Sequence, residues 1–124
     1  MSGAGSTLDS IGQIMIPTRD LDRAVAFYRD ILSLPFLFKA PPGLAFLNCG
    51  GVRLLLEHQP AMQSSIVYFR VGDINAAYAR LVAAGVVFDG KPHLLAKMPD
   101  HDLWMAFFRD SEENLMALMC EVRA

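Results

Sequence analysis

Apolar and polar positions along the chain follow two periods, and the same succession of periods occurs twice. In "RDLDRAVAFYRDILSLPF", Arg19 to Phe36, residues Leu21, Ala24, Val25, Tyr28, Ile31 and Leu32 fall three or four apart. That spacing predicts one apolar face of a helix. Asp20 stands where a carboxylate can accept from the free N–H groups of a first turn, and Pro35 blocks continuation. "VGDINAAYARLVAAGVVF", Val71 to Phe88, says the same again. Ile74, Ala77, Tyr78, Leu81 and Val82 make the face, Asp73 is the cap, and Gly85 suits a left-handed end. A short apolar run precedes each helix, "IGQIMI" and "SIVYFRV". Two more follow each: "GLAFLNC" and "VRLLLEH" joined around Gly50-Gly51, then "DLWMAFF" and "NLMALMCEV" joined around "RDSEE". A shorter strand is expected directly after each helix, at Pro35 to Phe38 and at Val86 to Phe88.

Each half therefore reads strand, helix, three strands. Neither half can bury both faces of such a sheet alone. The expected fold is α+β: two βαβββ modules forming a curved mixed sheet around a shared cleft, helices outside. Residues 1–10, rich in Gly and Ser, read as a flexible tail. Residues 11–124 read as a single domain made of two modules, about 11–60 and 64–124.

Composition narrows the function classes. The hydrophobic share is 53%, enough for a core, yet no long uncharged apolar run predicts a membrane span. Net charge is −2 with both signs mixed along the chain, so no basic stripe points to nucleic acid. The opening "MSGAGSTLDS" lacks the basic and apolar regions of a secretory leader. Cys49 and Cys120 have no metal-type spacing and read as apolar filler in a reducing cytoplasm.

"IGQIMIPTRDLDRAVAFYRDILSLPF", "FRVGDINAAYARLVAAGV" and "FFRDSEENLMALM" resemble segments of the vicinal oxygen chelate superfamily, in the superfamily's order. That superfamily includes glyoxalase I, extradiol dioxygenases, methylmalonyl-CoA epimerase, fosfomycin-resistance enzymes and bleomycin-binding proteins. The resemblance implies the two-module fold and, in the enzymes, a divalent metal held by His, Gln or Glu on the first strand of each module and Glu on the last. The first of these positions falls on Gln13, whose amide oxygen can ligate. The equivalent in the second module is Ile66, and the last-strand position is Ala117; neither has a donor. Ala117 folds onto Leu55 in the first module, with Glu57 two residues along the same side of the strand. Three or four protein ligands are usual for a tight site. The expectation is no metal at these positions and no cofactor, with a divalent metal the disfavoured alternative. Ile66→His together with Ala117→Glu is expected to raise metal affinity if Gln13 points into the same cavity.

The remaining polar candidates carry bland readings beside the functional ones. Gln13 is a ligand contact or a polar cavity wall. Glu57 is a general base if it faces an apolar cleft, or a solvated strand end beside His58. In "KPHLLAKMPDHDLWMAFF", His93, Asp100, His101 and Asp102 lie around a loop entering a strand. His101 between Asp100 and Asp102 suits proton transfer or ligand contact, and Pro99-Asp100 also suits a plain turn. Trp104 either stacks on a flat ligand or fills core. The leading expectation is a small-molecule-binding protein without the standard metal centre, its ligand a small apolar or aromatic molecule. The alternative is a lyase, isomerase or dioxygenase-type enzyme with a non-standard or metal-independent site. A homodimer is expected, with neither nucleic acid nor membrane as partner.

Overall fold

The computed structural model describes residues 7–123. Residues 1–6 of the expected tail lie outside the described residues; Thr7–Ser10 are exposed and carry no helix or strand. The chain divides after Pro60 into two compact units, each running strand, helix, three strands.

The first unit holds β1 (Gln13–Thr18), α1 (Leu21–Ala26), β2 (Phe36–Ala40), β3 (Leu44–Cys49) and β4 (Val52–His58). Its sheet has the order β1-β4-β3-β2, with β1 parallel to β4 and the other pairs antiparallel. The second unit holds β5 (Val67–Arg70), α2 (Ile74–Ala83), β6 (His93–Lys97), β7 (His101–Arg109) and β8 (Leu115–Arg123). Its sheet repeats the plan as β5-β8-β7-β6, again with one parallel pair, β5 with β8.

Both helices start as the sequence predicts. The Asp20 carboxylate accepts from Arg23 N–H at 3.0 Å, and the Asp73 carboxylate from Ala76 N–H at 3.1 Å. Each bond satisfies one first-turn donor that the helix cannot satisfy itself. α2 ends at Gly85 with φ 94°, where Val86 N–H reaches back to the Leu81 carbonyl at 2.9 Å. Val82, expected on the buried face, is exposed; Ile74 and Leu81 carry the burial instead. α1 is not one regular helix. It widens at Phe27–Ile31 into a π-helical turn closed by Leu32 N–H on the Phe27 carbonyl at 3.0 Å. The wider turn lets Phe27 join Tyr28 in the core, their rings edge to face at 5.5 Å.

Each helix covers one face of its own sheet. α1 packs on β3 and β4, over Ile16, Ala45, Leu47, Leu54 and Leu56, all essentially sealed from solvent. α2 packs on β7 and β8, over Ala106, Phe108, Met116, Leu118 and Cys120. Period-2 alternation then sends the intervening residues to the opposite, helix-free face.

The expected strand at Val86 to Phe88 shrinks to a single bridge between Phe88 and Phe108. Phe88 is a plug, its ring 4.7 Å from Tyr78 and 5.4 Å from Phe108. Pairing with β7 stops after Asp89, whose N–H bonds the Phe107 carbonyl at 2.8 Å. Pro92 has no N–H to offer, and the edge strand resumes only at His93 as β6. The two hairpin turns use the expected chemistry. Gly50 and Gly51 take φ 58° and 93°, and the buried Asp110 carboxylate accepts from Glu112 and Asn114 N–H at 2.8 and 2.9 Å.

Candidate functional site

The helix-free face of each sheet carries a row of side chains that spans the strands. In the first unit, strand register places Gln13 beside Arg53, Met15 beside Leu55, and Leu55 beside Phe46. The Arg53 Nε–H donates to the Gln13 amide oxygen at 3.0 Å. The Arg53 guanidinium carbon stands 5.2 Å above the Phe46 ring centre. Phe46 in turn stacks on Phe38 of the edge strand, 4.6 Å between centroids and 28° between planes. One residue from each of four strands thus makes a continuous row: amide, cation, ring, ring.

The second unit has a matching row. Tyr68 and Phe107 flank Ala117 in register, one on each side, and their rings meet edge to face at 6.3 Å. Two strands separated by a third are roughly 9.6 Å apart, so the rings lean together over the small Ala117 side chain. Ala117 is fully buried. His93 stacks on Phe107 at 6.3 Å and 27°. Next along the same face, Arg70 is neutralised by Glu121 at 3.2 Å.

The sequence-predicted candidates do not form one cluster. Gln13 and Glu57 share a face, but the Gln13 partner Arg53 lies four residues from Glu57 along β4, roughly 13 Å. The Glu57 carboxylate accepts from Gln59 at 2.6 Å and borders an open recess of about 460 Å³ lined also by Pro42, Gly43, Leu44 and His58. His101 pairs with Asp100 at 2.7 Å, and Asp100 also binds Arg123. The His101 ring and then the Arg123 guanidinium hold the Asp100 carboxyl below its ordinary range. Asp102 faces the other side of β7 and pairs with Lys97 at 3.6 Å. Trp104 shares that side with Phe108, away from the Tyr68–Phe107 row. Burial raises the Cys49 thiol and keeps it from the thiolate form. The residues sequence reasoning missed are Arg53, Phe46, Phe38, Tyr68 and Phe107. Their signal was present as period-2 alternation, once β1 is known to pair in parallel with β4.

The positions where the resemblance would place metal ligands offer few free donors. The Gln13 amide oxygen already faces a cation. Ile66 has no donor. Ala117 lies beneath two rings, and its counterpart Leu55 is apolar and buried. Glu57 is the one carboxylate, and Gln59 engages it. Among the described residues no three His, Cys, Asp or Glu side chains gather as a metal-holding group. The side chains at these positions do not fit the divalent-metal centre.

Comparison with solved structures shows the same fold at low identity. Lactoylglutathione lyase from Agrobacterium tumefaciens superposes with a TM-score of 0.78 at 23% identity, covering 91% of this chain and 94% of that one. A superfamily member from Sphaerobacter thermophilus DSM 20745 gives 0.79 at 18%, covering 94% and 100%. TnmS3, an antibiotic binding protein from Streptomyces sp. CB03234, gives 0.75 at 23%, covering 94% and 98%. A search of curated proteins found no match. The profile of the Glyoxalase/Bleomycin resistance protein/Dioxygenase superfamily matches residues 10–118. With most of its length inside that match, the chain belongs to the glyoxalase/bleomycin resistance protein/dioxygenase superfamily.

Proposed function

We propose that this chain binds a small apolar or aromatic molecule and does so without the divalent-metal centre of the superfamily's enzymes. The observation that carries this reading is Ala117: the last-strand position is a methyl group under the Tyr68–Phe107 ring pair. A ligand oxygen has no metal to meet there, whereas a flat apolar molecule meets the ring edges and faces of Tyr68 and Phe107. Sequestration needs shape and stacking and no activated water. The antibiotic-binding TnmS3 has the same fold, which supports a binding role. Among the described residues no helix is long and apolar enough to cross a membrane. The free thiols of Cys49 and Cys120 suit a reducing cytoplasm.

Linkage gives the test, because only a species that binds the native state well raises the melting temperature. Protein dialysed against a chelator should be stabilised by members of a panel of flat aromatic compounds. Added Zn²⁺, Ni²⁺ or Mn²⁺ at modest excess should leave the melting temperature nearly unchanged. A metal-induced rise of several degrees that disappears in Gln13→Ala contradicts the reading.

A further inference from the structure

We propose that the helix-free face of the first unit selects a planar aromatic carboxylate, with Arg53 receiving the acid group and the Phe46–Phe38 stack receiving the ring. This deepens the small-molecule reading above, on which it rests, by naming the ligand's chemical class.

Arg53 is an unusual cation in this chain. Arg29, Arg70, Arg109 and Arg123 each pair with a carboxylate. Among the described residues Arg53 has none: its partners are the Gln13 amide oxygen and the Phe46 ring. Of the five N–H donors of a guanidinium, the bond to Gln13 uses only Nε–H, leaving the terminal donors for an anion. The nearest carboxylate on its own strand and face is Glu57, roughly 13 Å away along β4. At that distance Glu57 is no ion-pair partner for Arg53.

The guanidinium is also held in place. β4 and β2 flank β3 on opposite sides, so Arg53 and Phe38 reach the Phe46 ring from opposite sides. Gln13 fixes the Nε end. A side chain oriented before binding loses little freedom when an anion arrives. Beside it Leu55 and Phe46, each 9% exposed, give the exposed guanidinium an apolar flank. Phe38 remains 46% exposed and offers ring surface to a partner. The row runs from the guanidinium to Phe46 at 5.2 Å and on to Phe38 at 4.6 Å, so a ligand lying along it meets the cation with its acid group and the exposed Phe38 with its ring. A cation meets repulsion at Arg53, and a neutral ring leaves its donors unmatched.

Calorimetric titration of the full chain with 2-naphthoate and its uncharged counterpart 2-naphthamide decides the matter. The wild type should bind the carboxylate tighter by about tenfold or more, the scale of a charge-assisted pair. Arg53→Met should erase that difference and leave naphthamide affinity within about twofold, because only the charged contact is lost. Phe38→Ala should weaken both probes several-fold. Circular dichroism and melting curves check that the variants fold, as expected for exposed positions. Equal affinity of the two probes for the wild type overturns the proposal. So does a preference that survives Arg53→Met in the folded variant, and so does failure of both probes to bind at millimolar concentration. In that last case the wider small-molecule reading still stands if other compounds on the panel raise the melting temperature, and falls with it if none does.

Discussion

Ala117 shows how one small residue can decide what a sheet face does. Its neighbours Tyr68 and Phe107 flank it in register, and their rings meet edge to face beside a side chain that is only a methyl group. The expected effect of Glu at 117 changes accordingly. A carboxylate there must displace the ring pair or be buried beneath it, so Ala117→Glu is expected to cost at least about 2 kcal/mol of stability. Urea unfolding of the single variant measures this; a midpoint equal to wild type would show that the rings part freely. At this scale the sequence is a good guide to identity and a poor one to neighbours. The missing donors at Ile66 and Ala117 are legible directly. The lid over Ala117 is not, because Tyr68 lies 39 residues before Phe107 in the chain and reaches it only through the pairing of β5 with β8.

At the scale of elements, legibility follows locality. The caps at Asp20 and Asp73, the Gly50-Gly51 turn and the bounds of β4 rest on residues within one turn or one alternating run, and the sequence reads them well. β6 is different. Val86 to Phe88 has strand-like composition, but Phe88 is drawn between Tyr78 and Phe108, and Pro92 resets where edge pairing resumes. The π-helical turn after α1 is likewise a tertiary outcome, fixed by two adjacent rings that both seek the core. One element junction is electrostatic. Asp100, just before β7, ties His101 at the start of β7 to Arg123 at the end of β8. Its carboxyl is held below the ordinary value of 3.8, so its contribution is full above that pH and is lost as pH falls through the depressed value. Asp100→Asn should therefore lower the urea midpoint at neutral pH and converge with wild type as pH falls well below 3.8. A difference that persists unchanged in acid would remove the charge from the explanation. Asp100 is fully exposed, so the effect is small.

At the scale of the whole molecule, the two-module plan is legible because the chain repeats itself. The constant offset between Asp20 and Asp73 also relates β1 to β5, and the parallel pairings of β1 with β4 and β5 with β8 repeat with it. Edge strands leave apolar side chains uncovered: Leu37 on β2, Leu94 and Leu95 on β6. Two-fold pairing of copies is the commonest way for such a chain to cover them. We therefore expect a homodimer burying on the order of 1,600 Å² in total. Light scattering at micromolar concentration reports the mass, and a single species near 13.7 kDa throughout that range would refute the dimer.

What separates a metal-free binder from the metal-using enzymes of the same fold is the ion itself. The decisive measurement is the metal content of protein purified without added ions, by elemental analysis against chain concentration. With an engaged Gln13, an apolar Ile66 and a covered Ala117, divalent metal should stay far below one ion per chain, and chelator treatment should leave the melting temperature unchanged. One tightly held Zn²⁺, Ni²⁺, Mn²⁺ or Fe²⁺ per chain, removed by chelator with loss of stability, would contradict it.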